Sequence, residues 1–395
     1  MIIVNSAKLH DGTTGRLLLF SREREGAQLM TLLTHLKVLD FSTLLPGPFA
    51  TLMLADLGAD VLKVERPGTK DSWGVNQYLN RSKKSITLDL KQSESIESVR
   101  NLVTEYDIVI EQFRPGVMER LGLGYGALKS INPKLIYCSI TGYGQTGPYK
   151  DRPGHDINYI SIAGLSGYSG TKKDGPAKNG TQIADLAGGS LHAVIGILSA
   201  VIHRERTGFG QAIDISMTDC SFALNAISAP LNLQGGLELE PEKLMLNGGS
   251  FYDFYETKDG RYFSVGSLEP PFRKALCEAI GAPELYELSM KSDEESGIRF
   301  KTAVRLAFLE RDFHEWQEIF AEFEACAEPV LTFTEAAEHP QLKERGMIVE
   351  VPDGKGNVQK QIACPIKTSV FTPGYKHAGL EPGQNNAEIL CTPNR

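Results

Sequence analysis

The chain has 395 residues, 41% of them hydrophobic and 23% charged, with a formal net charge of −8. That length accommodates two ordinary globular domains with substantial cores. The acidic balance argues against nucleic acid as a bulk partner, because that footprint needs Lys and Arg clustered on a basic domain; a local basic pocket stays compatible with it.

Residues 1–35 read as an N-terminal extension without a clean period, and the first 29 as a loosely attached arm or a start assigned too early. They contain no basic stretch followed by an apolar one, so no secretory leader is expected. From residue 36 short β-rich runs alternate with helical segments: LKVLDF (36–41), DVLKVE (60–65), SITLDL (85–90), DIVIEQ (107–112) and LIYCSITGYG (135–144). FATLMLADLGA and SESIESVRNLVTEY between them suit helices. The alternation predicts parallel βαβ units and an α/β, Rossmann-like large domain over 36–230. TLLPGPFA stands where a G-x-G-x-x-G fingerprint would follow the first strand, which weakens a dinucleotide reading.

Residues 185–208 read as a buried helix with an acid at its start, basic residues in its last turn and Gly208 as its cap. The apolar stretch is too short by composition for a membrane span, which needs roughly 18 residues, and no membrane partner is expected. Gly and charge make 231–250 a linker. FYDFYETKDGRYFSVGSL (251–268) is a hairpin around a Lys-Asp-Gly turn, and with the helical stretches that follow it defines a smaller α+β domain over 251–345. The segment 346–395, β-rich over 348–372 with a PDGKGN turn, is expected to return to the large domain. The six cysteines, at 138, 220, 277, 326, 364 and 391, are far apart with no C-x-x-C pair. They predict free thiols in a reducing, cytoplasmic setting and give no metal signature.

Arg66, Lys91, Arg114 and Arg120 follow predicted strands, where an open parallel sheet binds its ligand. Cations converging there on an acidic chain suggest, as a group, a polyanionic small molecule such as a nucleotide-bearing thioester, although any one of them alone reads more readily as an exposed charge. Three acid or base candidates lie further on. His155 follows a Pro-Gly turn in RPGHDINYISIAGLSGYSG (152–170) and stands before a run that looks buried; Asp185 opens the apolar helix; Glu269 ends the hairpin in GSLEPPF. Each has a plain structural reading, as a hydrogen-bonded core histidine, a helix cap or first-turn acid, and a turn residue. Spacing alone does not bring the three together.

The runs VLDFSTLLPGPFATLMLADLGADVLKVERPG, NRSKKSITLDLK, EQFRPGVMERLGLGY, GHDINY and ADLAGGS resemble the family III CoA-transferase superfamily across about residues 36–390. The likeness is strongest to its α-methylacyl-CoA racemase branch. Transferases of the superfamily tend to carry a glutamine where this chain has Leu45 and four glycines where it has Gly248-Gly249, and use an aspartate matching Asp185 as a nucleophile. GHDINY and the Glu-Pro after the hairpin match the racemase pattern instead.

The resemblance implies an acyl-CoA thioester substrate, with coenzyme A as part of that substrate and no separate cofactor or metal. It also implies an interlocked homodimer in which Glu269 reaches His155 from the partner subunit. His155 and Asp185 would then exchange protons with opposite faces of the carbon beside the thioester carbonyl, each transfer contributing about 10²- to 10⁴-fold. Glu269 would orient His155, and an apolar surround would raise the Asp185 pKa. Backbone N–H groups at the start of the Asp185 helix would hold the enolate oxygen. Asp156 and Tyr159 would brace the loop. By the same resemblance Arg66, Leu88, Lys91, Gln112, Phe113 and Arg120 would hold the CoA moiety. The competing reading from the same likeness is CoA transfer between carboxylic acids through an acyl or CoA adduct at Asp185.

Overall fold

Six strands form the central sheet of the protein, which is a computed structural model describing residues 32–71 and 74–390. They are β1 (Lys37–Asp40), β2 (Asp60–Glu65), β3 (Lys84–Thr87), β4 (Ile108–Glu111), β5 (Ile136–Thr141) and β6 (Ala212–Ser216), in the order β3-β2-β1-β4-β5-β6. Every pairing is parallel. This is the doubly wound arrangement, and its order reverses between β1 and β4, which opens a crevice at the carboxyl ends of those two strands.

The period-2 alternation of the strands divides the core into two. Val38, Ile108, Ile110, Ile136, Cys138 and Ile140 face one side, against Ala50 and Leu54 of the Pro46–Asp56 helix and Ala193, Ile197 and Ala200 of the His192–Thr207 helix. Leu39, Leu62, Ile86, Val109 and Tyr137 face the other, against Val99 and Val103 of the Ser93–Val103 helix. The exposed edge of β3 is closed by the chain's own C-terminal stretch. Asn385 Oδ1 accepts from Ser85 N–H at 3.0 Å and Asn386 Oδ1 from Thr87 N–H at 2.9 Å, which satisfies amides that an edge strand otherwise presents to other chains.

A second, antiparallel sheet joins β7 (Asp253–Glu256), β8 (Tyr262–Val265) and β9 (Ala327–Pro329). Its core is aromatic: Phe308 stacks on Tyr255 and Phe320 at 5.4 and 5.7 Å between ring centres. The hairpin of β10 (Ile348–Pro352) and β11 (Val358–Ile362) is antiparallel, and its Ile362 carbonyl accepts from Arg81 Nη1 at 2.6 Å.

Some expectations need correction. β3 begins at Lys84 and ends at Thr87, so Leu88 to Leu90 leave the strand. The β-rich 348–372 segment is strand only as far as Ile362. The 185–208 segment is not one α-helix but a π-helix, Ala184–Leu191, running into the α-helix His192–Thr207, with Gly208 closing it at φ +80°. The joined helix of 24 residues is long and apolar enough to cross a membrane by length and composition, contrary to the sequence reading, because the two segments fuse and their Gly, Ser and His residues do not interrupt it. It is also only partly buried: Ala193, Val194, Ile197, Ala200 and Val201 are in the core, whereas Ile195 and Ile202 are 61% and 54% exposed. Cys138, Cys220, Cys277, Cys326 and Cys364 are free thiols; Cys391, the first 31 residues, Ser72 and Trp73 lie outside the described residues.

Candidate active site

Asp185 sits in the first turn of the π-helix, where the wider coil brings the backbone against its neighbours. Gly188 and Gly189 permit that approach. A Cβ at Gly188 would stand 2.9 Å from Ser221 Oγ and 3.0 Å from the Met217 carbonyl, and one at Gly189 3.0 Å from Pro46 Cβ. A Cβ at either position would press Ser221, Met217 or Pro46 aside, so the glycines of ADLAGGS let the π-helix lie close against the Met217–Ala223 helix and the start of the Pro46–Asp56 helix. The buried Ser190 hydroxyl donates to the Pro46 carbonyl at 2.7 Å and lies 3.0 Å from the Asp185 carbonyl.

His155 occupies the N-cap position of the Asp156–Ile162 helix, its N–H donating to Asn158 Oδ1 at 3.0 Å. Tyr159 fixes the approach to it. Its buried ring fills the space that a Cβ at Gly142 or Gly154 would need, packs edge-on against Tyr143 at 5.2 Å, and its hydroxyl donates to the Gly154 carbonyl at 2.5 Å. Asp156 ties this loop to the π-helix, since its Oδ1 accepts from the Asp185 N–H at 3.0 Å.

His155 and Asp185 are thereby brought together, near enough for the imidazole charge to act on the carboxyl. Burial raises the Asp185 carboxyl to about 6; the Asp156 carboxylate adds to the rise and His155 opposes it. The surround is less dry than the sequence implied. His155 is exposed, and Ile157 and Ile162 of the run behind it are 60% and 55% exposed. The expected enolate donors also need correction. The Asp185 N–H is engaged by Asp156 and the Leu186 N–H by the Gln182 carbonyl at 3.0 Å, so what the helix start offers is the positive end of its dipole rather than open amides.

Glu269 is exposed at the N-cap of the Pro270–Ala279 helix. The group it acts on electrostatically is the Cys326 thiol, and among the described residues no contact within the chain joins it to His155.

The CoA candidates line the carboxyl ends of β2, β3 and β4. Arg66 follows β2 and Lys91 follows β3, both exposed. Arg114 and Arg120 are exposed beyond β4, the latter ending the Val117–Arg120 helix. Phe113 is half-buried against the second core. Leu88 is 8% exposed and its side chain belongs to that core. Gln112 spans the switch point: its Oε1 accepts from the Gly47 N–H at 3.1 Å. Sequence reasoning missed the residues behind this edge, Asp40, Ser42, Thr51, Lys63, Lys83 and Ser190, all of them buried. The signal available was Lys63, a cation inside the apolar strand DVLKVE.

A doubly wound sheet carrying cations at its strand ends and a histidine–aspartate pair in the GHDINY and ADLAGGS motifs has the layout of an enzyme site. Residues 33–386 match the model of CoA-transferase family III, and the chain belongs to that family. It is 37% identical over 361 residues to alpha-methylacyl-CoA racemase of Homo sapiens, covering 91% of this chain and 92% of that one. It is 31% identical over 386 residues to succinate–glutarate CoA-transferase of Agrobacterium fabrum, covering 91% and 95%. A crystal structure of a CAIB/BAIF family protein from Brucella suis superposes with a TM-score of 0.80 at 32% identity, covering 91% of this chain and 99% of that one.

Proposed function

We propose that the protein racemises 2-methylacyl-CoA or related 2-substituted acyl-CoA thioesters by moving one proton off, and another onto, the carbon beside the thioester carbonyl. The observation that carries this reading is the Asp185 carboxyl held at about 6 next to His155. A group poised near neutrality serves as acid in one direction and base in the other. One partner breaks the α-C–H bond, the electron pair moves onto the thioester oxygen as an enolate, and the other delivers a proton to the opposite face. With a single proton shared by the pair, both directions start from the same charge state. Asp156 fixes the Asp185 backbone and keeps its carboxyl high. The cations at the strand ends hold the phosphates of CoA, and Gln112 and Phe113 line the way inward.

The same carboxylate supports a second reading, transfer of CoA between carboxylic acids with Asp185 as nucleophile, and transferases stand among the relatives. Incubation with 2-methylacyl-CoA in deuterium oxide, without an acceptor acid, separates the two. Racemisation gives α-deuterium at a rate set by the enzyme. A transferase gives none, and hydroxylamine then traps an adduct at Asp185.

A homodimer follows as part of the proposal. The Asp156–Ile162, His192–Thr207 and Met217–Ala223 helices leave Ile157, Ile162, Ile195, Ile202 and Phe222 exposed, an apolar surface suited to a second copy. Glu269 of that copy would complete the histidine's hydrogen bonding. Light scattering should give twice the chain mass; a stable monomer contradicts it.

A further inference from the structure

A second cluster of charge stands at the switch point, closed to solvent. Asp40 ends β1, Lys63 lies beside it in β2 and Lys83 immediately precedes β3; they are 0%, 4% and 1% exposed. Asp40 Oδ1 accepts from the Ser42 N–H at 2.9 Å, from the Ser42 hydroxyl and from Lys63 Nζ at 3.4 Å, and its Oδ2 accepts from the Thr51 hydroxyl at 2.6 Å. Lys63 also donates to the Ser42 carbonyl. The three N–H bonds of Lys83 meet three acceptors: the Pro48 carbonyl at 2.9 Å, Thr51 Oγ1 at 2.7 Å and Asn80 Oδ1 at 3.0 Å. An ammonium is saturated by that set.

Buried ion clusters contribute little net stability over apolar packing of the same volume, so the question is what this one fixes. It fixes a turn. Between Ser42 and the Pro46–Asp56 helix the chain passes through Leu44 at φ +59°, a left-handed conformation that is unfavourable for an L-residue. The first helical turn then reads Pro-Gly-Pro. Pro46 and Pro48 have no N–H, and of the remaining backbone groups three reach outside the helix. The Pro46 carbonyl takes the Ser190 hydroxyl, which also lies against the Asp185 carbonyl; the Gly47 N–H takes Gln112; the Pro48 carbonyl takes Lys83. One turn of helix thus touches the acid–base side, the CoA side and the buried charge.

We propose that Lys83, acting through Thr51 and Asp40, is a positioning residue that locks this turn and so keeps Gln112 and the Asp185 helix in a single register. The proposal rests on the reading of Asp185 as part of the active site. The charged groups facing Lys83 are Asp40 on β1, Lys63 on β2 and Asp56 on the helix, and Asp56 is itself paired with Arg81 at 2.5 Å. Burial lowers the Lys83 ammonium to about 7, with Asp40 opposing the fall. Deprotonation removes one of its three donors, so the lock is complete below that pH and incomplete above it.

The test compares full-length wild type with Lys83→Met and Thr51→Val, reading α-deuterium exchange from pH 5.5 to 9. Loss of register by a fraction of an ångström lowers kcat of Lys83→Met on the order of 10- to 100-fold while KM changes less than about threefold. The ratio of wild-type to variant rate falls as pH rises through about 7. That ratio cancels the titration of the His155 and Asp185 pair. A pH-independent ratio, or a folded Lys83→Met with wild-type kcat, overturns the proposal. Thr51→Val keeps every charge and removes only the bridging hydroxyl. It is expected to show a smaller loss in kcat, and wild-type kinetics in this variant overturn the proposal even where Lys83→Met does not fold. Should the wild type transfer CoA and exchange no α-proton, the racemase reading fails by itself, and the same variants measured in transfer decide the role of Lys83.

Discussion

Asp40 ends β1 and Asp185 opens the π-helix, both start from the same ordinary value of 3.8, and yet their carboxyls move in opposite directions. Asp40 is the more deeply buried, and burial alone would raise it. Lys63, Lys83, Ser42 and Thr51 overcome that and bring it down to about 2. Asp185 is half-buried, and with burial reinforced by the Asp156 carboxylate it rises to about 6. The contrast teaches that depth does not decide reactivity here; the supply of donors does. The saturated carboxylate serves as an anchor, and the unsaturated one is left able to exchange a proton.

Breaking the reactive side of the comparison has the largest expected effect. Asp185→Asn and His155→Ala each remove one of the two groups to which the proposal gives proton transfer and should cut α-proton exchange by about 10²- to 10⁴-fold, with circular dichroism unchanged. Breaking the anchored side acts on stability instead. Asp40→Asn removes the carboxylate that Lys63 and Lys83 share, leaving Lys83 facing only Asp56, which Arg81 already engages, and should cost on the order of 3 kcal/mol in denaturant unfolding. Asp40 ionises more readily folded than unfolded, so its contribution is present above pH 3.8 and lost as pH falls through about 2. The acid limb of the wild-type unfolding curve should flatten in the variant.

Arg66→Ala and Lys91→Ala test the binding half of the site. Each should raise KM about tenfold, more at low salt, with kcat nearly unchanged, because a phosphate contact far from the reacting carbon is made equally in ground and transition states. The smallest and sharpest change is Asp156→Asn. The amide still accepts from the Asp185 N–H but no longer repels its charge, so the Asp185 carboxyl falls below about 6 while burial continues to hold it up. The acid limb of exchange then moves to lower pH, and an unmoved limb contradicts the assignment of Asp156.

Much of the fold was legible because the strands are buried on both faces and therefore read as short apolar runs. DVLKVE coincides with β2. The β3 start was misread because Lys83 and Lys84 look like loop residues, although Lys84 pairs with Leu62 and Lys83 turns inward to Thr51 and Pro48. His155, Asp185 and Glu269 stand out one by one as acid or base candidates, but their grouping rests on resemblance, since partners distant in sequence leave no periodic trace. Asp156 shows the same limit: its acceptor role depends on an amide 29 residues away. The exposure of Ile157 and Ile162 was illegible for another reason. Apolar residues on two faces of one short helix do not say which face this chain covers and which is left outward.

The most direct measurement is a pH titration of isotope-labelled aspartate side chains by nuclear magnetic resonance, with Asp185→Asn and Asp40→Asn assigning the signals. The account predicts one carboxyl titrating near 6 that disappears in Asp185→Asn, and another that stays ionised down to about 2 and disappears in Asp40→Asn. An Asp185 signal titrating at its ordinary value of 3.8 would contradict it.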